Sequence, residues 1–351
     1  MAFKQRVNKL RRKVMRLLTR NIGQNTVPNS FSTESVKRIL VSRPNSRLGN
    51  MLMVTPLLQE VSKTFPNAKV DLFVRSRIAP ILFSGYSNID TIITLPGKPF
   101  KQLLKYMRVW GFLIKRRYDF TINIEPGSSS GRLSTKLSKA RYKLFCDMDE
   151  ELETQYNDSV HMAKRPVYGL RKYLGYEPLD MPPIPPLSIR LNEQEIANGK
   201  KILDGIIPDK NKKTIGIYTF ATGNKCYSPQ WWDDTYKKLC ADFGSDYNIM
   251  EVLPMENVSQ IDFAAASFYS RDLREIAAVI DNLSVFLTAD CGIMHLASAT
   301  STPVLGLFSI TSPAKYCPYS ARSVALEVTD IPDTNKMVAI MREILQQETA
   351  M

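Results

Sequence analysis

The stretch Val285–Pro318, with the sequence VFLTADCGIMHLASATSTPVLGLFSITSPAKYCP, decides the fold of this chain. Its apolar start is typical of a buried parallel strand, and helical spacing follows from 293 to 299. Pro303 ends that helix, and residues 304–308 have the pattern of the next strand. The stretch therefore predicts a strand, a glycine turn, a helix and a second strand.

A helix that begins at the carboxyl edge of a parallel sheet can bind an anion, because its first backbone N–H groups have no partner within the helix. His295, one of only two histidines in the chain, lies in the first turn of this helix. An ordinary βαβ unit with a glycine turn explains the stretch equally well. Alone, the stretch predicts a fold but not a function.

Strands and helices alternate on both sides of this stretch, which predicts an α/β protein with doubly wound parallel sheets. The N-terminal half has predicted strands at 37–41, 69–74, 89–95 and 119–124, and predicted helices at 49–61, 101–115 and 133–138. The C-terminal half has predicted helices at 193–203, 231–243, 272–281 and 334–347, and predicted strands at 214–218 and 247–253. Two such domains are expected to place a cleft between the carboxyl edges of their sheets.

A length of 351 residues suggests two domains. The alternation is lost over 150–190, where the segment DMPPIPP reads as a stiff, extended linker. The predicted division is a basic N-terminal segment and linker at 1–33, an N-terminal Rossmann-like domain at 34–180, a Pro-rich linker at 181–190, a C-terminal Rossmann-like domain at 191–330 and a C-terminal helix at 331–351.

The composition is that of a soluble globular protein, with 44% apolar and 23% charged residues. The sequence has no run of eighteen apolar residues and no apolar segment typical of a secretory signal, so we expect a cytoplasmic location. The five cysteines are scattered and lack the spacing of zinc ligands. They are therefore expected to be free thiols, and no metal site is predicted.

Positive charge is concentrated in residues 1–20, which contain eight Lys or Arg residues and no acid, out of a net charge of +13. Apolar residues form one narrow stripe in this segment if it is helical: Phe3, Val7, Leu10, Val14 and Leu17. A basic amphipathic helix is attracted to an anionic membrane surface. A mobile tail, or a helix docked on the protein's own core, remains an alternative. The rest of the chain carries little net charge, so no nucleic-acid partner is expected.

Four segments, in order, resemble the ADP-heptose:lipopolysaccharide heptosyltransferases, which form glycosyltransferase family 9. The resemblance extends from about residue 37 to residue 319. The segments are GNMLMVTPLL at 49–58, the Tyr118–Asp119 strand with its Gly/Ser turn, KCYSPQWW at 225–232 and DCGIMHLA at 290–297. Each motif alone is weak, but four in the right order identify the family.

The resemblance implies a GT-B architecture, with two Rossmann-like domains that face a central cleft. It also implies an inverting, metal-independent transfer of a heptose from ADP-heptose to the core of lipopolysaccharide, with no cofactor beyond the nucleotide-sugar donor. Without a metal ion, the charge of the diphosphate must be met by lysine and by backbone N–H donors. The residues expected to bind the donor are Lys225, Asp290, Cys291, Gly292, Ile293, His295, Thr222 and Glu256.

The donor residues have different expected roles. Lys225 would meet the diphosphate charge, whereas Asp290 would fix the turn or bind sugar hydroxyls, since a carboxylate repels phosphate. His295 would hydrogen-bond the phosphate or the donor sugar. Thr222 and Glu256 would reach phosphate and ribose. The alternatives are a loop lysine in solvent, a histidine that only packs in its helix, and plain loop residues.

One position departs from the family. Asn50 stands where the family usually has an aspartate, which is proposed to deprotonate the acceptor hydroxyl. An amide cannot act as a base near neutral pH, so Asn50 can only orient the acceptor. Glu125 is the nearest carboxylate that could replace the aspartate, although pairing with Arg132 or Lys136 would explain it equally well.

Cationic residues on the acceptor side fit a core that is phosphorylated and carboxylated. The residues expected to bind the acceptor are Arg43, Arg47, Gly49 and Arg132. The predicted function is therefore a glycosyltransferase on the inner face of the bacterial inner membrane, with a lipid-linked core oligosaccharide as acceptor. The alternative is a weakened or inactive family member that acts as a binding or scaffold protein.

Overall fold

The computed structural model describes residues 14, 17–19, 22–26, 32–97, 101–177, 182–328 and 332–349. Most of the predicted membrane helix at 1–20 lies outside these residues. The chain divides into two compact units. The first unit consists of 1–47, 56–80 and 86–185, and the second of 48–55, 81–85 and 186–351. Both units therefore draw on the N-terminal part of the chain, and the ranges predicted for the domains stay a prediction.

The helices and strands alternate along the described chain. The strands are β1 Arg38–Arg43, β2 Lys69–Val74, β3 Ile89–Thr94, β4 Phe120–Asn123, β5 Tyr142–Leu144, β6 Lys213–Tyr218, β7 Tyr247–Val252, β8 Ala266–Phe268, β9 Val285–Ala289, β10 Val304–Phe308 and β11 Val324–Glu327. The helices are α1 Leu48–Leu52, α2 Thr55–Thr64, α3 Ala79–Leu82, α4 Leu103–Lys115, α5 Ser129–Leu137, α6 Glu150–Gln155, α7 Arg165–Tyr173, α8 Glu193–Ile206, α9 Pro229–Phe243, α10 Leu273–Ile280, α11 Gly292–Ala297, α12 Pro313–Tyr316 and α13 Thr334–Thr349. Short 3-10 turns lie at Thr33–Ser35 and Gly223–Lys225.

In the first unit, the described strands form a parallel sheet in the order β3-β2-β1-β4-β5. The strand order reverses between β1 and β4, so side chains that follow these two strands meet at one point of the carboxyl edge. In the second unit, the order is β11-β10-β9-β6-β7-β8, again parallel. Here the reversal lies between β6 and β9. The prediction of doubly wound parallel sheets is confirmed.

The helix predicted over 49–61 is in fact two helices, α1 and α2. Pro56 has no N–H to donate to the carbonyl of Leu52, so the α-helical ladder cannot run through this point. The hydroxyl of Thr55 donates to the Leu52 carbonyl instead, at 2.7 Å. The break separates α1, which belongs to the second unit, from α2, which belongs to the first.

Residues 150–190, where the sequence loses its alternation, contain α6 and α7. Arg171 at the end of α7 is buried and pairs with Glu60 of α2, at 2.7 Å from Nε and 2.9 Å from Nη2. The same guanidinium donates to the backbone carbonyls of Pro182 and Pro183. A buried, doubly hydrogen-bonded ion pair thus holds the start of the Pro-rich segment to the first unit.

No helix among the described residues is both long and apolar enough to cross a bilayer.

Candidate functional site

A polar cluster lies at the switch point of the second unit, where β6 and β9 end. Asp290 follows β9 and is 5% exposed. Lys225 Nζ and Thr311 Oγ1 both donate to its Oδ2, and His295 Nε2 lies 3.8 Å from its Oδ1. Residues from three different strand ends and from α11 therefore converge on one carboxylate.

Lys225 reaches solvent, since its side chain is 30% exposed. An ammonium group has three N–H donors. Asp290 takes one of them, so the others can bind a second anion while the lysine stays in position. The pair thus fixes a point charge at the carboxyl edge of the sheet, where ligands of doubly wound sheets bind.

His295 is buried in this cluster, which sets its protonation state. Burial lowers the pKa of the imidazole; the carboxylate of Asp290 opposes this effect, and the charge of Lys225 adds to it. The lowered pKa means a neutral imidazole near pH 7, with one nitrogen that donates and one that accepts. His295 can therefore hydrogen-bond a ligand, but it brings no positive charge to a phosphate.

Helix α11 begins at Gly292, with Cys291 as its N-cap residue. Thr288 Oγ1 lies 3.6 Å from the Cys291 sulfur, and the Cys291 side chain makes no capping hydrogen bond to the first turn of the helix. Burial raises the pKa of the thiol, so it stays protonated at neutral pH.

Helix α1 packs on α11 within the second unit. A Cβ atom on Gly49 would overlap the imidazole of His295 at Cδ2, and a Cβ atom on Gly292 would lie 3.2 Å from Cβ of Leu48. Glycine at these two positions allows the two helices to approach closely. Gly49, which the sequence places on the acceptor side, thus lies directly against a predicted donor residue.

Gly49→Ala is expected to destabilise the protein by about 1–3 kcal/mol and to displace His295, because the new methyl group overlaps a buried ring. The melting temperature and the affinity for ADP measure the two effects. Gly205→Ala is the matched control in the same unit, since a Cβ atom on Gly205 of α8 meets nothing within 4 Å. Equal melting temperatures for the two variants would contradict the close contact.

The switch point of the first unit holds a different pair. Arg43 at the end of β1 is 1% exposed, and its Nη1 lies 3.1 Å from Oε2 of Glu125, which follows β4. Neither partner predicted for Glu125, Arg132 or Lys136, forms this ion pair. Asn123 donates from Nδ2 to the Glu125 carbonyl at 3.1 Å, which fixes the turn in which Glu125 lies.

The other predicted acceptor residues are placed differently. Arg132 is buried, pairs with Asp147, donates to the carbonyl of Ile22 at 3.0 Å, and lies over the ring of Phe145. Its guanidinium therefore has a structural role in the first unit. Arg47 is exposed in the loop before α1. Binding of an acceptor by Arg43, Arg47, Gly49 and Arg132 stays a prediction.

Thr222 and Glu256 are exposed and hydrogen-bond none of the cluster residues among the described residues. Sequence reasoning missed a buried carboxylate nearby in the chain, Glu251 of β7. Its two oxygens accept from Thr219 Oγ1 at 2.5 Å and from Ser259 Oγ at 2.6 Å. Burial raises the pKa of Glu251. This network ties the loop after β7, which contains Glu256, to the end of β6.

Thr311 was also missed. It follows β10 at the same carboxyl edge as Asp290, and the only signal in the sequence is its position after a predicted strand. A hydroxyl after a strand is too common to select by itself. Among the described residues, no group of three or more His, Cys, Asp or Glu side chains has a metal-binding arrangement.

Solved structures share the fold of these parallel-sheet units. The glycosyl transferase family 9 protein from Veillonella parvula superposes with a TM-score of 0.70 at 16% identity, over 91% of this chain and 100% of that one. The ADP-heptose lipopolysaccharide heptosyltransferase II of Escherichia coli superposes with a TM-score of 0.66 at 16% identity, over 89% and 99%. The class of fold is GT-B, as predicted.

Sequence comparison points to the same family as the resemblance described above. Residues 270–343 match the model of glycosyltransferase family 9 (heptosyltransferase). The lipooligosaccharide heptosyltransferase 2 of Haemophilus ducreyi is 24% identical over 330 residues, which cover 84% of this chain and 89% of that relative. The resemblance to glycosyltransferase family 9 is thereby confirmed, and the chain is a glycosyltransferase.

Proposed function

We propose that this protein transfers a heptosyl residue from ADP-heptose to the core of lipopolysaccharide, with inversion and without a metal ion. The observation that carries the proposal is the cluster of Lys225, Asp290, His295 and Thr311 at the switch point of the second unit. It supplies an ammonium group held by a carboxylate, together with neutral hydrogen-bonding groups, at one edge of the sheet, which suits a diphosphate beside a sugar. The heptosyltransferases of Haemophilus ducreyi and Escherichia coli named above act, by their names, on lipooligosaccharide and lipopolysaccharide.

In the proposed reaction, an acceptor hydroxyl oxygen attacks the anomeric carbon of the heptose. The bond from that carbon to the diphosphate oxygen breaks, and ADP leaves with the bonding electrons. Lys225 stabilises the charge that develops on the diphosphate. The acceptor hydroxyl gives its proton to Glu125, which we propose as the base in place of the usual aspartate.

The test is incubation of the full-length protein with each epimer of ADP-heptose and a truncated core acceptor, followed by mass spectrometry of the glycan. Parallel reactions with a chelator address the metal, and NMR of the product reports the anomeric configuration. No transfer from either epimer would refute the heptosyl donor. Retention of the anomeric configuration would refute the inverting mechanism but not the transfer itself.

A second function, binding without turnover, is favoured by one observation, the amide at Asn50. A protein of this kind would be stabilised by a nucleotide sugar in a thermal-shift assay, since a ligand of the folded state raises the melting temperature. It would nevertheless transfer nothing.

Asn50→Asp separates the two functions. If Glu125 is the base, the variant is expected to show no gain in turnover, because Glu125 already takes the proton of the attacking hydroxyl. Asn211→Asp, at an exposed loop position, controls for the added negative charge. A large gain that only Asn50→Asp produces would mean that the native site is weakened, and would contradict the role of Glu125.

We also propose that the protein is cytoplasmic and binds the inner face of the inner membrane through residues 1–20. The supporting observation is that Leu17 and Leu18 of this segment are exposed, at 62% and 68%. Apolar side chains beside a run of cations suit the surface of an anionic bilayer. A lipid-linked acceptor would be reached from this position.

A further inference from the structure

Helix α4 of the first unit has an inner and an outer face of different character. The inner face packs on the sheet through Tyr106, Val109, Trp110, Leu113 and Ile114, and the Trp110 ring lies 5.6 Å from that of Phe73. These residues recur at the spacing of one helical face. They are sufficient to hold α4 in place, so the outer face is not needed for the fold.

The outer face begins with three large apolar side chains in solvent. Leu103, Leu104 and Met107 are 54%, 72% and 61% exposed. Gly111, one turn beyond Met107, continues the stripe, and a Cβ atom there would meet nothing within 4 Å. Contiguous exposed leucine and methionine side chains on a regular helix are characteristic of an interaction surface.

The same helix and its ends are strongly basic. Residues 101–118 contain six Lys or Arg residues and no acid. Arg116 is neutralised by Asp71 and Asp90, each at 2.6 Å. The other five have no acidic partner among the described residues: Lys101, Lys105, Arg108, Lys115 and Arg117. The exposed apolar side chains are therefore surrounded by cations whose charge is free to act on a partner.

We propose that the outer face of α4 docks on the surface of an anionic phospholipid bilayer. Leu104 and Met107 would enter the headgroup region, while Lys105 and Arg108 would bind lipid phosphates. A second copy of this chain fits poorly, because two such faces would bring like charges together. Nucleic acid fits poorly too, because a phosphate backbone does not bury leucine and methionine.

This inference rests on the proposed association with an anionic membrane and adds a second element to it. Residues 1–20 and α4 lie far apart in sequence and are each basic and apolar. Two linked contacts bind more tightly than either alone, because the second contact forms within the bound molecule. Neither contact depends on transfer, so vesicle binding and glycosyl transfer are separate readouts.

The first test is flotation of the full-length protein with phosphatidylcholine vesicles that contain phosphatidylglycerol. Replacing both Leu104 and Met107 by serine is expected to weaken binding about tenfold, since two apolar side chains no longer leave water. Met255→Ser is the control, because Met255 is 71% exposed in the second unit, against 72% for Leu104. Unchanged melting temperatures would show that all variants fold.

The second test removes charge. The double substitution K105Q/R108Q is expected to weaken binding about 30-fold at low salt, at roughly 1 kcal/mol per cation near the surface. Neutralising Arg11 and Arg12 in the full chain measures the contribution of residues 1–20 separately.

Equal binding of the α4 variants and Met255→Ser would overturn the proposal for α4 alone. A change from dimer to monomer in the α4 variants, measured by sedimentation, would also overturn it, in favour of a second copy.

Discussion

Glu125→Gln is expected to lower the rate of transfer by about 10²- to 10⁴-fold, the usual contribution of a general base. The amide has the shape of the carboxylate and can still lie against Arg43, but it cannot take the proton of the acceptor hydroxyl. The affinity for ADP is expected to stay the same, since Glu125 is not among the predicted donor residues. Steady-state kinetics with ADP-heptose and truncated core, together with calorimetry of ADP binding, measures both quantities.

Loss of the charge opposite Arg43 is the main complication, because Arg43 is almost fully buried. Glu60→Gln provides the control, since Glu60 is the partner of another almost fully buried arginine, Arg171. Removing one partner of a buried ion pair is strongly destabilising. If Glu60→Gln lowers kcat as much as Glu125→Gln does, then instability explains both results, and Glu125 is not the base.

Lys225→Gln is expected to lower kcat/KM by about 10²- to 10³-fold, as for the loss of one donor to a developing negative charge. Glutamine can still hydrogen-bond Asp290, but it carries no charge to set against the diphosphate. Because the charge on ADP grows as the glycosyl bond breaks, the loss should appear in kcat as well as in KM. Free ADP carries the full charge of the leaving group, so its binding should weaken as well.

Lys237→Gln is the control for Lys225→Gln. Lys237 also pairs with an aspartate, Asp233, at 2.6 Å, but on the exposed surface of α9. Exposed pairs of this kind contribute little to stability. A loss of activity in Lys225→Gln no greater than in Lys237→Gln would refute the role of Lys225 at the diphosphate.

Much of the fold could be predicted from the sequence, because alternating strand and helix patterns in long segments leave few possible architectures. The stretch from 285 to 308 has a strand, a helix and a strand, as predicted, with the helix starting at Gly292. The pattern could not predict the break before Pro56, since apolar spacing continues through it. Short strands such as β5 and β8 also carried too little periodicity to be found.

The candidate site could be predicted only in part. The motif around Asp290 and His295 and the loop around Lys225 gave the residues, and the strand order brings them together. The side-chain pairs in the site could not be predicted, because they depend on distances in the folded protein that no local sequence pattern contains. Arg43 with Glu125, Thr311 with Asp290, and Glu251 with Thr219 all join residues from separate strand ends.

The contact of α1 with α11 has a consequence for synthesis of the chain. Residues 48–55 leave the ribosome early, but the helix on which they pack begins only at Gly292. At roughly 5–20 residues per second, α1 waits about 10–50 s for its partner. During that time Met51 and Leu52, which are fully buried in the folded protein, are not yet packed against the residues that bury them. The second unit therefore cannot reach its native structure from residues 186–351 alone, because residues 48–55 are part of it. A nascent chain cut short before Gly292 would expose an apolar segment that chaperones recognise.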